Sequence, residues 1–80
     1  MNEDRTLTFG EKAVGLTFNV GNDETVHKLK KLYADVIDTL NDLKGDGSAT
    51  IEAGKARLIA IAITEAQGAQ MWAVKAVTWK

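Results

Sequence analysis

Between Ile59 and Trp79 the chain offers no proline and little else that would interrupt a helix. Read at helical spacing, Ala62, Ala66, Ala69, Ala73 and Ala76 share one stripe, with steps of four and three. Small residues in that register let a second helix come close. A further face carries Leu58, Ile61, Met71, Trp72, Val74 and Trp79. Apolar side chains thus cover much of the circumference, and such a helix needs cover on more than one side. A single partner helix does not provide it, so this segment predicts a helical protein that associates with itself.

The size of the chain points the same way. Eighty residues make one small domain, 1–80, with a modest core. Domains of this size commonly need disulfides, a metal or oligomerisation. Cysteine is absent and His27 is the single histidine, which removes disulfides, thiolate chemistry and a structural zinc site. Oligomerisation remains. A net charge of −1 gives no global attraction to nucleic acid or anionic membrane. No apolar run is long enough to span a bilayer, and the polar start Met1-Asn2-Glu3-Asp4-Arg5 leads into no signal-peptide core, so a cytosolic location is expected.

Three segments follow. Residues 1–21 form an N-terminal arm with three glycines among short apolar pieces. A short helical turn is expected near Gly10–Val14, then an extended Leu16-Thr17-Phe18 with Leu16 and Phe18 facing the same way, then a turn over Asn19–Asn22. Residues 22–44 read as the first long helix, capped by Asn22 or Asp23, with Glu24 in its first turn. Val26, Leu29, Leu32, Tyr33, Val36, Ile37, Leu40 and Leu43 form its apolar stripe. Gly45 supplies the stop. Residues 48–80 read as the second long helix, with Ser48 or Thr50 as cap and a length of roughly 45–50 Å against roughly 30 Å for the first. The short connection makes the pair antiparallel, and Trp72–Trp79 then project past the hairpin unless the arm or another subunit covers them. The fold class is all-α: an antiparallel helical hairpin with a short N-terminal arm or helix, in a homo-oligomer.

Catalytic machinery is hard to find. No nucleophile elbow, phosphate loop, paired-histidine helix or dinucleotide fingerprint is present, so no catalytic residue, metal ligand or cofactor is assigned. Asp35, Asp38 and Asp42 share a helix face that reads as solvated acid rather than a metal site. Trp72 and Trp79 read as packing anchors at subunit contacts, and Tyr33 as core. One cluster is unusual. His27, Lys28, Lys30 and Lys31 crowd the first turns of the first long helix, where the macrodipole favours anions over cations. An anion there is attracted by the lysines and by the helix terminus together. Phe18 and Asn19 lie just upstream, so stacking, edge recognition and phosphate neutralisation are all available to a nucleotide. The bland alternative is a solvated lysine face beside an ordinary core phenylalanine. Lys75 suits the C-terminal dipole of the second helix; if three of these helices met at an axis, it would instead form a ring of positive charge.

Gly15-Leu16-Thr17-Phe18-Asn19, followed by a short turn and the pair Leu29-Lys30, resembles the opening of the phage anti-CBASS sponge proteins. The ending from Ala62 to Ala76, with Met71-Trp72-Ala73 at its centre, is similar to the same family's alanine-rich ending. The hairpin domain of phage anti-Thoeris sponges is related. The resemblance runs from about Gly10 to the C-terminus. Phe18 and Asn19 stand where many relatives show tyrosine and a polar residue, and Val20-Gly21-Asn22 replaces the usual proline-rich turn.

The resemblance implies a homohexamer in the host cytoplasm that sequesters cyclic dinucleotides, and in some members cyclic trinucleotides, without cleaving them, and so blocks anti-phage signalling. It implies that Phe18 stacks on a base, Asn19 hydrogen-bonds and Lys30 meets phosphate. Lys28 and Lys31, from the basic cluster itself, and Lys75, from the ring at an axis, are further candidate ligand-binding residues. The competing reading is a structural hairpin oligomer that presents its acidic face to a protein partner. Duplex DNA or RNA fits poorly with a small basic cluster on a slightly acidic chain. A hydrolase fits least.

Overall fold

A computed structural model describes residues 6–45 and 50–80. Three helices and no strands occur among them: α1 (Phe9–Val14), α2 (Glu24–Asp42) and α3 (Ala53–Val77). The fold is therefore all-helical and hairpin-like. The start of α2 and the end of α3 line one recess, through Val26 and Lys30 on one side and Val74 and Thr78 on the other, so the two long helices run antiparallel. Along the hairpin, Ala34 and Ile37 meet Ile59 and Ile63, joined by Val14 and Leu16 from the arm. Ile37 is fully buried. No helix among the described residues is long and apolar enough to cross a membrane.

α2 begins where the sequence places it. Asp23 is the N-cap, accepting from the backbone N–H groups of Thr25 and Val26 at 2.8 and 3.1 Å, with Glu24 in the first turn. Leu43 is the C-cap, and Gly45 follows in the left-handed region at φ 80°, donating to the Asp42 carbonyl. α3 is shorter than expected. Glu52 holds the N-cap position without a side-chain capping bond, and Thr50 lies outside the helix. Ser48, the other expected cap, falls outside the described residues. Ending at Val77, α3 is roughly 37 Å long rather than 45–50 Å.

α1 docks on α2 at a glycine. A Cβ on Gly10 would lie 2.2 Å from the Ala34 carbonyl oxygen, so only glycine permits this approach. The Gly10 N–H, one of the donors a helix start leaves unpaired, donates to Asp38 Oδ1 at 2.7 Å. The acidic face of α2 is thus not simply solvated, as its sequence suggested: Asp38 caps a neighbouring helix. Thr8 and Glu11 form a capping box, each accepting from the other's backbone N–H at 3.0 Å. Glu11 also pairs with Lys31 at 3.1 Å, and Lys31 with Asp35 at 3.4 Å.

α2 touches both other helices, while α1 and α3 barely meet. The backbone spans 45 × 31 × 12 Å. Two stacked helices need roughly 8–10 Å between axes plus their own width, so the thin dimension holds a single layer. The layer explains a departure from the expected α2 stripe. Leu32, Val36 and Leu43 are about half exposed, while Ala34 and Lys30 are buried. With α1 on one flank and α3 on the other, the buried line of α2 rotates toward Val26, Lys30, Ala34 and Ile37. On α3, Ile59 and Ile63 face inward with the buried Gln70, leaving Leu58, Ile61 and Trp72 outward, and Trp79, just past its end, is exposed as well.

Candidate functional site: a recess between the arm and the hairpin

The Schellman turn ending α1 sets up the site. Gly15 takes the left-handed conformation at φ 64°, its N–H donates to the Lys12 carbonyl, and the next N–H, of Leu16, donates to the Glu11 carbonyl. The chain then keeps turning, with the Phe18 N–H donating to the Gly15 carbonyl at 2.9 Å. The expected extended Leu16–Phe18 segment is therefore replaced by a turn. Its two apolar side chains part company: Leu16 enters the core, and the Phe18 ring points outward, 74% exposed. Glycine at position 15 is the cause, because its left-handed backbone reverses the chain before a strand can form.

The turn over Asn19–Asn22 is present, with the Asn22 N–H donating to the Asn19 carbonyl and φ positive at Gly21 and Asn22. The Asn19 amide nitrogen donates to the Asp23 carbonyl at 2.9 Å, which fastens this loop to the start of α2. That bond fixes the amide's orientation, since a carbonyl can only accept. Asn19 Oδ1 has no protein partner among the described residues.

Phe18, Asn19, Val20, Val26, Lys30, Val74 and Thr78 line an open recess of about 190 Å³. Lys30 is its most unusual member. Only 6% exposed, it sits in core register on α2, one turn from Val26 and one from Ala34. Its Nζ donates to the Gly15 carbonyl at 3.1 Å and to the Phe18 carbonyl, and lies 5.5 Å from the centroid of the Phe18 ring. No carboxylate pairs with it among the described residues. Its partners are instead two carbonyl oxygens and a ring face, which leaves one of the three ammonium N–H donors without a protein acceptor among the described residues.

The structure brings together Phe18, Asn19 and Lys30. The other candidates lie elsewhere. Lys28 is exposed and does not line the recess. Lys31 is engaged by Glu11 and Asp35, which raise its pKa, the Glu11 hydrogen bond most. The stabilisation from that pairing is complete below the ordinary lysine value and is lost only as pH climbs through the raised one, so it is in force at neutral pH. Lys75 lies 5.7 Å from the Trp79 ring in a separate, mostly apolar recess of about 420 Å³ with Trp72 and Ala76. His27 is exposed. Among the described residues no group of three or more acidic, histidine or cysteine side chains is placed to hold a metal.

Sequence reasoning did not single out Thr78, or give Val26 and Val74 a place at the site. The available signal was the hairpin register, which sets the last turn of α3 beside the first turn of α2. Comparison with known proteins adds one finding: a family model described as Acb2/Tad1, hairpin domain, matches residues 11–78, nearly the whole of the chain and all of the recess. Neither the curated proteins nor the solved structures provide a match.

Proposed function

The chain belongs to the Acb2/Tad1 hairpin-domain family, the anti-CBASS and anti-Thoeris sponges, and on that premise we propose that it sequesters cyclic di- and trinucleotide messengers without cleaving them. In this reading it is a phage product that acts in the host cytoplasm, lowering free messenger so that CBASS effectors stay silent. The observation that carries the ligand class is the recess holding an outward aromatic ring, an amide with its acceptor open, and a buried lysine without a carboxylate partner among the described residues. The ring stacks on a base, Asn19 Oδ1 accepts from a base or ribose donor, and the third N–H of Lys30 meets a phosphate oxygen.

Self-association is part of the proposal. Pockets that enclose a drug-sized ligand measure roughly 300–1,000 Å³, and the recess, at about 190 Å³, accommodates only part of a cyclic dinucleotide. A second copy set against the recess supplies the rest of the enclosure. The single-layer fold and the outward Leu58, Ile61, Trp72 and Trp79 support the same conclusion. By resemblance the proposed assembly has six copies, and where three of these helices meet at an axis Lys75 adds a ring of positive charge suited to an anion. The competing protein-interaction reading loses ground, because Asp38 and Asp35 are already engaged within the chain.

Isothermal titration with cyclic GMP-AMP and cyclic tri-AMP tests the proposal. Binding of at least one is expected, with intact nucleotide recovered after denaturation; no heat and no thermal shift with either contradicts it. Phe18→Ala is expected to weaken cyclic GMP-AMP binding by roughly 10- to 100-fold, as loss of one stacked base does, with the unfolding midpoint nearly unchanged. Unchanged affinity removes the ring from the site.

A further inference from the structure

Lys30 does two things with one ammonium group. Two of its three N–H donors are taken by the carbonyls of Gly15 and Phe18, the residues that open and close the turn carrying the ring. The same charge lies under the Phe18 ring. The ring itself has little else to hold it, being 74% exposed, and the backbone bond from the Phe18 N–H to the Gly15 carbonyl is the turn's own closure. A side chain that only awaited phosphate would gain nothing from burial at 6% exposure in the core register of α2.

We infer that Lys30 is a positioning residue: it latches the Gly15–Phe18 turn and thereby fixes the Phe18 ring at the mouth of the recess before any ligand arrives. The inference deepens the cyclic-nucleotide reading and rests on it for the ligand, but the latch itself is a property of the free protein. Because ring placement depends on Lys30, losses at Phe18 and Lys30 overlap rather than multiply. The lysine's contribution to affinity is then largely preorganisation of the stacking surface.

The test compares wild type, Lys30→Met, Lys30→Gln, Phe18→Ala and the Lys30→Met/Phe18→Ala double variant. Amide hydrogen exchange is followed in the ligand-free protein and cyclic GMP-AMP affinity by titration. In Lys30→Met, exchange of the Phe18 and Asn22 amides is expected to speed up by about tenfold or more, with the Ile37 and Ile63 amides unchanged. Lys30→Gln keeps a donor without the charge and recovers part of the protection. The double variant binds no more weakly than about threefold below the weaker single variant. Unaltered exchange in Lys30→Met, or single-variant losses that multiply in the double variant, overturns the latch. If Lys30→Met fails to fold, Lys30→Gln decides on exchange alone: faster loop exchange than wild type supports the latch, and identical exchange overturns it. Absence of cyclic GMP-AMP binding by wild type would count against the ligand assignment and leave the exchange result to decide the latch.

Discussion

Gly10→Ala is expected to lower the unfolding midpoint by about 10 °C or more, a direction opposite to the intrinsic helix preference of alanine, which favours the substitution by about 1 kcal/mol. The added Cβ would lie 2.2 Å from the Ala34 carbonyl oxygen and 2.9 Å from Asp38 Oδ1. The first of these is main chain of α2, deep in the layer, and has no room to yield. α1 must therefore back away, which stretches the Gly10 N–H bond to Asp38 and lifts Val14 and Leu16 from the core. Overpacking of this kind costs about 1–3 kcal/mol, and a weakened bond to a charged acceptor adds about 1.5–3 kcal/mol. Each kcal/mol moves the midpoint of a domain this small by about 4–8 °C. Circular-dichroism melts at fixed protein concentration give the readout. Gly54→Ala, where the new Cβ meets only the Glu52 carboxylate at 3.5 Å, serves as the control and should be neutral or slightly stabilising. A Gly10→Ala protein that melts at or above wild type would show that α1 does not dock as described.

Trp72→Asp is expected to break the proposed assembly into smaller species while leaving the fold of one chain intact. Trp72 is 72% exposed on a single copy, as is Trp79, and exposed substitutions away from special features change stability by about 0.5 kcal/mol or less. Under a second copy the same indole becomes a buried anchor, and replacing such an anchor by a charge costs about 2 kcal/mol or more, at least about 30-fold in association per contact. Light scattering across a concentration series separates the outcomes. Dissociation with unchanged helical content supports an interface on the outward face of α3. An unchanged assembly places the contact elsewhere, and a wild-type protein that is already a single copy contradicts self-association itself.

Much of the hairpin was legible in the sequence because helices announce themselves by local spacing. An N-cap at Asn22 or Asp23, of which Asp23 takes the role, the stop at Gly45 and the apolar period of α2 all lie within a few residues of what they determine. The departures involve partners far apart in the chain. Asp38 looked like part of a solvated acidic face because the Gly10 N–H it accepts from is 28 residues away. Leu32 and Val36 looked like core because nothing local says that the protein is one layer thick and that α1 turns the buried line toward Ala34.

The recess was half legible. Phe18, Asn19 and Lys30 could be gathered by proximity to the α2 start, and the structure puts them around one space. Lys28 and Lys31 follow from the same reasoning, yet helical rotation carries Lys28 away from the recess and gives Lys31 to Glu11 and Asp35. Lys30 differs in register: it falls on the line Val26, Ala34 and Ile37, and a lysine in a core register is a signal in itself. The opposite orientations of Leu16 and Phe18 were not readable, because they depend on the handedness adopted at Gly15.

Native mass spectrometry of the purified chain, with and without a mixture of cyclic di- and trinucleotides, tests the central claim most directly, since it counts chains and ligands in one spectrum. The account predicts a multi-chain species, six copies by family resemblance, that gains whole cyclic nucleotides and releases them with unchanged mass. A folded single chain that gains none would contradict it.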